Sequence, residues 1–356
     1  MKHLNPDIAR LICQRAAERR GVSTEHARWF ADALVETSLM GIDTHGLRLF
    51  ALYLRELDEG RSKAKPHFML RRRQGAMATL DADAALGTVA GLHAARLAVG
   101  IAQSHGIGAV AVGNSNHFGA ASIYGLEIAR HNMIGLVTTS AAARMSPFNG
   151  KRAMFGTNPI CFVAPGVGEQ RFMLDMATSQ ISYSQIKHYR KNGLALPLGW
   201  VLNAAGEPTE QPADVVSLSP LGGYKGQGLA MMVQILSCLL ASMPLDHELD
   251  HLDTGRFDTG RNIGHFMIAI DPSAFANPAS FRQQVSRLMD DVRATPARDG
   301  ARVQVAGDPQ AANRQQRLQH GIPALPEEIE ALLREGERAG VLETRALVLE
   351  DAEVTA

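Results

Sequence analysis

Apolar residues recur at helical spacing through the first sixty residues of the chain. The apolar positions are Ala27, Phe30, Ala31, Leu34 and Val35 within residues 5 to 40, and Leu47, Phe50, Leu54 and Leu57 within residues 46 to 58. A period near 3.6 residues predicts amphipathic helices that bury one face. Gly41 to Gly46 interrupts the pattern, so we expect a helical subdomain with a tight connector between two of its helices.

Strand and helix patterns alternate from about residue 76 onward. The predicted strands are Ala76–Leu80, Gly108–Val112, Ile134–Thr138, Ile160–Val163, Phe172–Asp175 and Phe266–Ile270. The predicted helices are Val89–Gln103, Ala120–Arg130, Ser179–Lys191, Gly226–Ala241 and Ser280–Val292. This alternation predicts an α/β core that runs to about residue 295. A stretch rich in Pro, Gly, Arg and Gln, Thr295–Gln319, predicts an extended connection, and Pro326–Ala339 predicts a closing charged helix.

Composition narrows the classes of function. The 356 residues contain 36 Lys and Arg against 36 Asp and Glu, so there is no positive field that would hold nucleic acid. Three cysteines without a CxxC pair argue against a disulfide framework or a cysteine zinc site, which fits the cytoplasm. Met1 to Arg20 lacks an apolar signal region, and the most apolar stretch, Leu229 to Met243, is short. We expect neither export nor a membrane span.

Three short motifs match functional signatures but lack the required context. Gly106 to Ala111 fits the dinucleotide pattern GxGxxA, yet a helix precedes it and a strand follows, the reverse of a Rossmann turn. His247 to His251 fits HExxH, but the segment is polar on all sides and follows Pro244, which predicts a solvated loop. Gly222 to Gly228 is rich in glycine but lacks the GK[ST] ending of a P-loop. The segment is compatible with a phosphate contact at a helix start and equally with a turn whose lysine is solvated.

Polar residues that could perform chemistry stand at the ends of apolar elements. Thr44 and His45 lie in the connector between two helices, and Arg48 lies one turn into the second of them. His117 follows a strand, and Asp175 lies between a strand and a helix. Reduction of a carbonyl, or its reverse, needs a hydride carrier, a proton donor and a cation for a substrate carboxylate. Histidine and arginine suit the last two roles. Asp175 could equally stabilise the N-terminus of a helix.

Seven motifs in a fixed order resemble one known family. They are GIDTHGLRL, NSNHFGAASIY, GTNPICFVAPG, DMATS, GWVLNAAGEPT, PLGGYKGQGL and GRNIG. Together they resemble the malate/L-lactate dehydrogenase family that lacks a Rossmann fold, whose relatives include sulfolactate, ureidoglycolate and diketogulonate enzymes and the cyclic ketimine reductases. The resemblance implies an α/β (α+β-like) fold with a mixed-sheet domain, residues 76–319, that binds NAD(P) and forms a homodimer. A helical domain would combine residues 1–75 with a helix in 320–356.

The resemblance also implies roles for individual residues. His45 matches the proton donor of several members, with Thr44 to orient it, and His117 matches the acid/base of others. The implied substrate contacts are Arg48 for the carboxylate, Thr157 and Tyr183. The implied cofactor contacts are Ser140, Asp175, Met176, Ala177 and Lys225. Asp175 would receive ribose hydroxyls, and no metal is implied.

The predicted function is reversible hydride transfer between NAD or NADP, with NADPH favoured, and a small 2-oxo or 2-hydroxy acid. The alternative is NADPH-dependent reduction of a cyclic imino acid such as piperideine- or pyrroline-2-carboxylate. Gln185 stands where a ketimine reductase has an aspartate, and Tyr183 where it has a histidine, which weakens that alternative. A zinc hydrolase built on His247, Glu248 and His251, and a binding protein without activity, are the remaining hypotheses.

Overall fold

A computed structural model describes residues 2–349 of the chain. A seven-stranded mixed sheet has the strand order β2-β3-β4-β10-β5-β6-β7. Its strands are β2 (Met69–Gln74), β3 (Met77–Ala85), β4 (Ile107–Ser115), β5 (Ile134–Thr139), β6 (Ile160–Pro165), β7 (Arg171–Met176) and β10 (Ile263–Ile270). The short strands are β1 (Lys2–Leu4), β8 (Val201–Leu202), β9 (Ser217–Leu218), β11 (Ile322–Ala324) and β12 (Val348–Leu349).

Ten helices surround these strands in the described residues. They are α1 (Pro6–Arg19), α2 (Thr24–Leu39), α3 (Phe50–Glu59), α4 (Gly87–His105), α5 (Ser122–Arg130), α6 (Tyr183–Lys191), α7 (Tyr224–Ser237), α8 (Pro278–Arg293), α9 (Asp308–His320) and α10 (Pro326–Arg338). None of the described helices is long and apolar enough to cross a bilayer. The predicted α/β class is therefore confirmed, with a mixed sheet.

The sheet pairing excludes a Rossmann arrangement. Within the described strands, β3 and β4 form the single parallel pair, joined by α4, and all other neighbours in the large sheet are antiparallel. Gly106 ends α4 with a left-handed φ of 76°, and β4 starts at the next residue. The GxGxxA segment thus follows a helix and opens a strand, as its context in the sequence predicted.

The helical part of the molecule brings together the two ends of the described chain. In a small antiparallel sheet, β1 lies between β11 and β12. Helices α1, α2 and α3 pack with α10 around a core in which Phe30, Phe50 and Leu332 are fully or almost fully buried. Apolar residues at helical spacing made these helices predictable. The short strands were not predicted, because two or three residues carry no period.

The predicted extended connection Thr295–Gln319 is wrong, because residues 308 to 320 form α9. No side chain of this helix is fully buried, so its sequence lacks the apolar period that would predict a helix. Ion pairs attach α9 to the helical part instead, from Arg314 to Glu36 and from Arg317 to Asp43. The helix begins after Gly307, whose φ of 103° would strain any other residue.

A smaller hydrophobic cluster lies apart from the main core. It joins α6, β8 and β9 through buried apolar side chains, namely Met145, Ile181, Ile186, Leu196, Val201, Leu218 and Ala230. This cluster supports the segment around Tyr183, where α6 begins. Residues Gly226 to Ala241, predicted as one helix, divide into α7 and a 3-10 turn at Leu239–Ala241.

Candidate active site

Two histidines from distant parts of the sequence face each other in the structure. His45 ends a 3-10 turn, Asp43–His45, and His117 lies in the loop after β4. Their ring centroids are 5.8 Å apart with an interplanar angle of 30°. Each Nδ1 has a hydroxyl partner at 2.7 Å, the Oγ1 of Thr44 for His45 and the phenol of Tyr53 for His117. The Nε2 atoms are therefore the nitrogens left for a ligand.

The surroundings keep both imidazoles neutral. Loss of hydration lowers the pKa of His45 to about 4. Loss of hydration also lowers the pKa of His117 well below its usual value, and the positive charge of Arg261 adds to the effect. A neutral imidazole can accept a proton at neutral pH, so the pair is suited to act as a general base.

Close packing fixes the turn that carries His45. A Cβ on Gly46 would lie 2.1 Å from the Oγ of Ser38, so a larger residue does not fit there. The same Oγ accepts a hydrogen bond of 2.9 Å from the backbone N–H of Leu47. The end of α2 thus fixes the backbone of the two residues that follow His45.

One amide side chain holds the loop that carries His117. The Nδ2 of Asn116 donates to the backbone carbonyls of Arg61, Ala84 and Ala85, and its Oδ1 accepts from the N–H of Arg261. Asn116 is completely buried. Because every polar atom of this amide is used, the loop has a defined position at the end of β4.

Arg261 places a positive charge beside the histidine pair. Only 8% of the residue is exposed. One guanidinium nitrogen, Nη2, donates to the carbonyl of Asp250 at 2.6 Å, whereas the buried Nε has no partner among the described residues. Burial lowers the pKa of Arg261 to about 10, which still leaves it charged at neutral pH. A buried cation with an unused donor is suited to a carboxylate.

Arg48, which the resemblance implies for the carboxylate, lies nearer the surface. Its Nε donates to Glu328 of α10 at 2.9 Å, and 40% of its side chain is exposed. This ion pair links the 3-10 turn Leu47–Leu49 to α10. The geometry therefore groups Thr44 with the two histidines, and it gives Arg48 a carboxylate partner from within the protein.

Thr157 lies in a loop that a buried carboxylate holds in place. The Oδ2 of Asp246 accepts hydrogen bonds from the N–H of Gly156 at 2.8 Å, from the Nδ2 of Asn158 at 2.7 Å and from the Nε2 of Gln234 at 2.7 Å. Asp246 is completely buried. The backbone of Thr157 is thus fixed from both sides, and its side chain stays partly exposed.

Asp175 caps the start of α5 with its carboxylate. Its Oδ2 accepts a hydrogen bond of 2.8 Å from the N–H of Ser122, the first residue of that helix. Burial raises the pKa of Asp175. The buried hydroxyl of Ser122 has no partner among the described residues. Met176 and Ala177 follow Asp175 and are partly exposed at the end of β7.

Three further residues for which the resemblance implies a ligand contact differ in their surroundings. Ser140 is buried, and its hydroxyl exchanges hydrogen bonds with the backbone of Gly264 between β5 and β10. Lys225 is exposed in the first turn of α7. The ring of Tyr183 lies under the guanidinium of Arg144, whose Cζ is 3.9 Å from the ring centroid.

Known proteins share this architecture. A family model described as malate/L-lactate dehydrogenase matches residues 4–333. The chain belongs to the malate/L-lactate dehydrogenase family. It is 32% identical over 338 residues to a malate dehydrogenase of Pyrococcus abyssi, with 92% of each chain covered. It is 31% identical to the ureidoglycolate dehydrogenase (NAD(+)) of Escherichia coli K12, with 88% of this chain and 89% of that one covered. The solved sulfolactate dehydrogenase of Methanocaldococcus jannaschii superposes with a TM-score of 0.89 at 29% identity, covering 95% and 97% of the two chains.

Two residues of this family member escaped the sequence-based reasoning. Tyr53 is an interior position of an amphipathic helix, where an aromatic residue usually means only packing. Arg261 stands in the motif GRNIG, and its charge before an apolar strand was the signal that could have identified it. Both lie far in sequence from His117, so only the fold shows that they meet it.

The zinc-hydrolase alternative does not fit the local structure. The motif HExxH places two histidines on one helical face only if the whole segment is helical. Here Asp246–Glu248 is a 3-10 turn, and the chain continues as a loop. The predicted loop is confirmed, and Glu248 accepts a hydrogen bond from the N–H of Leu245.

Proposed function

We propose that this member of the malate/L-lactate dehydrogenase family is an NAD(P)-dependent oxidoreductase that interconverts a small 2-hydroxy acid and its 2-oxo acid. The observation that carries the proposal is the pair of neutral histidines beside the buried cation Arg261. Oxidation removes a hydride from C2 of the hydroxy acid and a proton from its hydroxyl. The nicotinamide, when bound, accepts the hydride, and a histidine Nε2 accepts the proton.

The hydrogen bonds leave the Nε2 of both histidines to the substrate. His45 is our first choice for the base, because the family resemblance matches it to the proton donor of several members. His117 would bind the substrate oxygen in the same site. Arg261 would hold the carboxylate, because it is buried and its charge acts on His117. Arg48 remains the other arginine for this role, with Thr157 as a further substrate contact.

The end of β7 fits the cofactor. Asp175 uses one carboxylate oxygen for the N–H of Ser122 and keeps the other for a ribose hydroxyl. Met173 points to the same face of β7 as Asp175, because side chains alternate along a strand.

The cavity that Met173 borders supports the proposal of NADP. This cavity of about 680 Å³ lies between β7, α5 and α9. Arg130 and Arg171 are among its lining residues. Each pairs with a carboxylate of the protein, Glu127 and Glu169 respectively, and the remaining guanidinium N–H groups are suited to the 2′-phosphate that distinguishes NADP from NAD. We propose that the adenosine end of the cofactor occupies this cavity and that NADPH is the preferred form.

A substrate panel tests the proposal. The purified protein is assayed with NADH and NADPH against oxaloacetate, pyruvate, other small 2-oxo acids and the cyclic imines. We expect turnover of at least one 2-oxo acid with NADPH ahead of NADH, and slower reaction of the imines. Gln185 supports the slower reaction of the imines, because it stands where a ketimine reductase has an aspartate, and its side chain accepts a hydrogen bond from the N–H of Ser182 in the cap of α6. Faster turnover of imines would favour the alternative, and no turnover of any compound would overturn the proposal.

A further inference from the structure

The helix α9 reaches the turn that presents His45. The guanidinium of Arg317 forms a two-pronged ion pair with Asp43, in which Nη1 contacts Oδ1 and Nη2 donates to Oδ2 at 3.1 Å. The same Nη1 donates to the backbone carbonyl of Ser38. Only 14% of the Arg317 side chain is exposed. These contacts join residues 274 to 279 positions apart in sequence.

The partners of Arg317 are the two ends of the connector before His45. Ser38 lies in the last turn of α2, and Asp43 opens the 3-10 turn that ends at His45. One turn earlier on α9, Asn313 packs on Gly41, where a Cβ would lie 2.4 Å from Nδ2. The helix therefore touches the connector at its start, its middle and its end.

We propose that Arg317 is a positioning residue, which fixes the His45 imidazole opposite His117 by holding the Asp43–His45 turn against the end of α2. The forked guanidinium suits this task, because it sets both the distance and the orientation of a carboxylate. A surface ion pair adds little to the stability of a protein. The ion pair of Arg317 matters here because it positions His45, and a small displacement of a catalytic group lowers the reaction rate steeply.

Replacing Arg317 has two expected consequences for His45. The Asp43–His45 turn loses the ion pair that holds it to α9. The carboxylate of Asp43, which lies two residues before His45, is then left without a partner. An unpaired carboxylate favours the imidazolium form, so the pKa of His45 should rise from its low value. In Arg317→Gln we therefore expect an upward shift of the His45 titration and a kcat about 10- to 100-fold lower.

The matched control is Arg10→Gln. Arg10 also forks between carboxylates, with Nε 3.0 Å from Asp32 and Nη2 3.1 Å from Glu36, but it does not touch the His45 turn. Both variants lose an ion pair between elements, so a general loss of stability would affect both. Only Arg317→Gln should move the His45 titration. Asp43→Asn added to Arg317→Gln should return the pKa of His45 toward the wild-type value while kcat stays low.

The titration is followed by NMR of the histidine rings in the full chain, with His45 assigned through His45→Gln. Arg317→Lys keeps the positive charge but cannot contact both carboxylate oxygens of Asp43 as the guanidinium does. It provides a second variant if Arg317→Gln does not fold. The catalytic part of the proposal rests on the proposed function, whereas the titration needs no substrate. A protein without turnover would thus overturn the proposed function alone. Identical His45 titrations in Arg317→Gln and Arg10→Gln would overturn the positioning role.

Discussion

At the scale of single residues, burial sets the protonation state of the two histidines in the free protein. Burial opposes the imidazolium form of both His45 and His117. The neutral form is the one that can take a proton from a hydroxyl group. We therefore expect the free enzyme to be prepared for oxidation of the hydroxy acid at neutral pH, and reduction of the oxo acid to require proton uptake.

The pH dependence follows from the sign of the shift. A lowered pKa keeps a histidine neutral, and thus active as a base, to a lower pH than usual. We expect kcat/KM for hydroxy-acid oxidation to stay constant below pH 6.5 and to fall only as the pH approaches about 4, the pKa of His45. A profile that falls near pH 6.5 would contradict the neutral pair.

The same residues can be separated by mutation. His45→Gln should lower kcat by about two to four orders of magnitude, the usual contribution of a general base, with cofactor affinity unchanged. Thr44→Val and Tyr53→Phe each remove one hydroxyl from one histidine. The variant that displaces the acidic limb of the pH profile identifies the base, and a change with Tyr53→Phe alone would assign the role to His117.

Sequence patterns drew attention to part of this candidate site for a definite reason. His45 and His117 each stand in a short polar motif at the end of an apolar element, and the family resemblance supplied their implied roles. Arg261 was missed, since its contact with the histidine loop spans 145 residues through Asn116. Contacts of this length depend on the pairing of β4 with β10, which no local pattern shows.

At the scale of elements, the loop that carries Thr157 depends on Asp246. Three donors converge on one carboxylate oxygen, and an amide in its place would present an N–H group or an oxygen with less charge. For Asp246→Asn we expect a loss of about 1 to 3 kcal/mol in the free energy of unfolding, as for other unsatisfied buried groups. We also expect a raised KM for the acid substrate.

Urea unfolding and steady-state kinetics measure the two effects. Asp299→Asn is the control, because Asp299 is exposed in a loop. An Asp246→Asn protein with the stability and KM of that control would show that the Thr157 loop is held by other contacts.

Helix α9 is an element that the sequence pattern did not predict. The helices of the N-terminal part were predictable because each buries an apolar stripe. In α9 no side chain is fully buried, and Arg314 and Arg317 attach it through charge. Ion pairs between distant residues leave no period in the sequence, so a polar helix resembles a linker.

At the scale of the whole molecule, α7 and the 3-10 turn that follows it expose an apolar stripe that suits a partner surface. Met231, Ile235 and Leu239 follow one another at four-residue spacing, and each is about half exposed, as is Leu240 beside them. Contiguous apolar surface of this kind is unusual on a monomer. A second copy of the chain is the partner that the family resemblance predicts.

Light scattering coupled to gel filtration tests this surface. We expect a mass of twice the 38.4 kDa of one chain for the wild-type protein and a shift toward one chain for Ile235→Asp. Leu288→Asp is the control, since Leu288 is an exposed leucine on a different helix, α8. A wild-type monomer, or a dimer that Ile235→Asp leaves intact, would contradict the assignment.

The small sheet of β1, β11 and β12 affects the order in which the molecule can fold during synthesis. Strand β1 lies within the first four residues, but its two partners lie in residues 322–349. A ribosome releases both partners after every strand of the large sheet, so β1 lacks its sheet while those strands emerge. The large sheet can form earlier, because its last strand ends at residue 270. Helices α1, α2 and α3 are thus synthesised before the large sheet, but the small sheet beside them is completed after it.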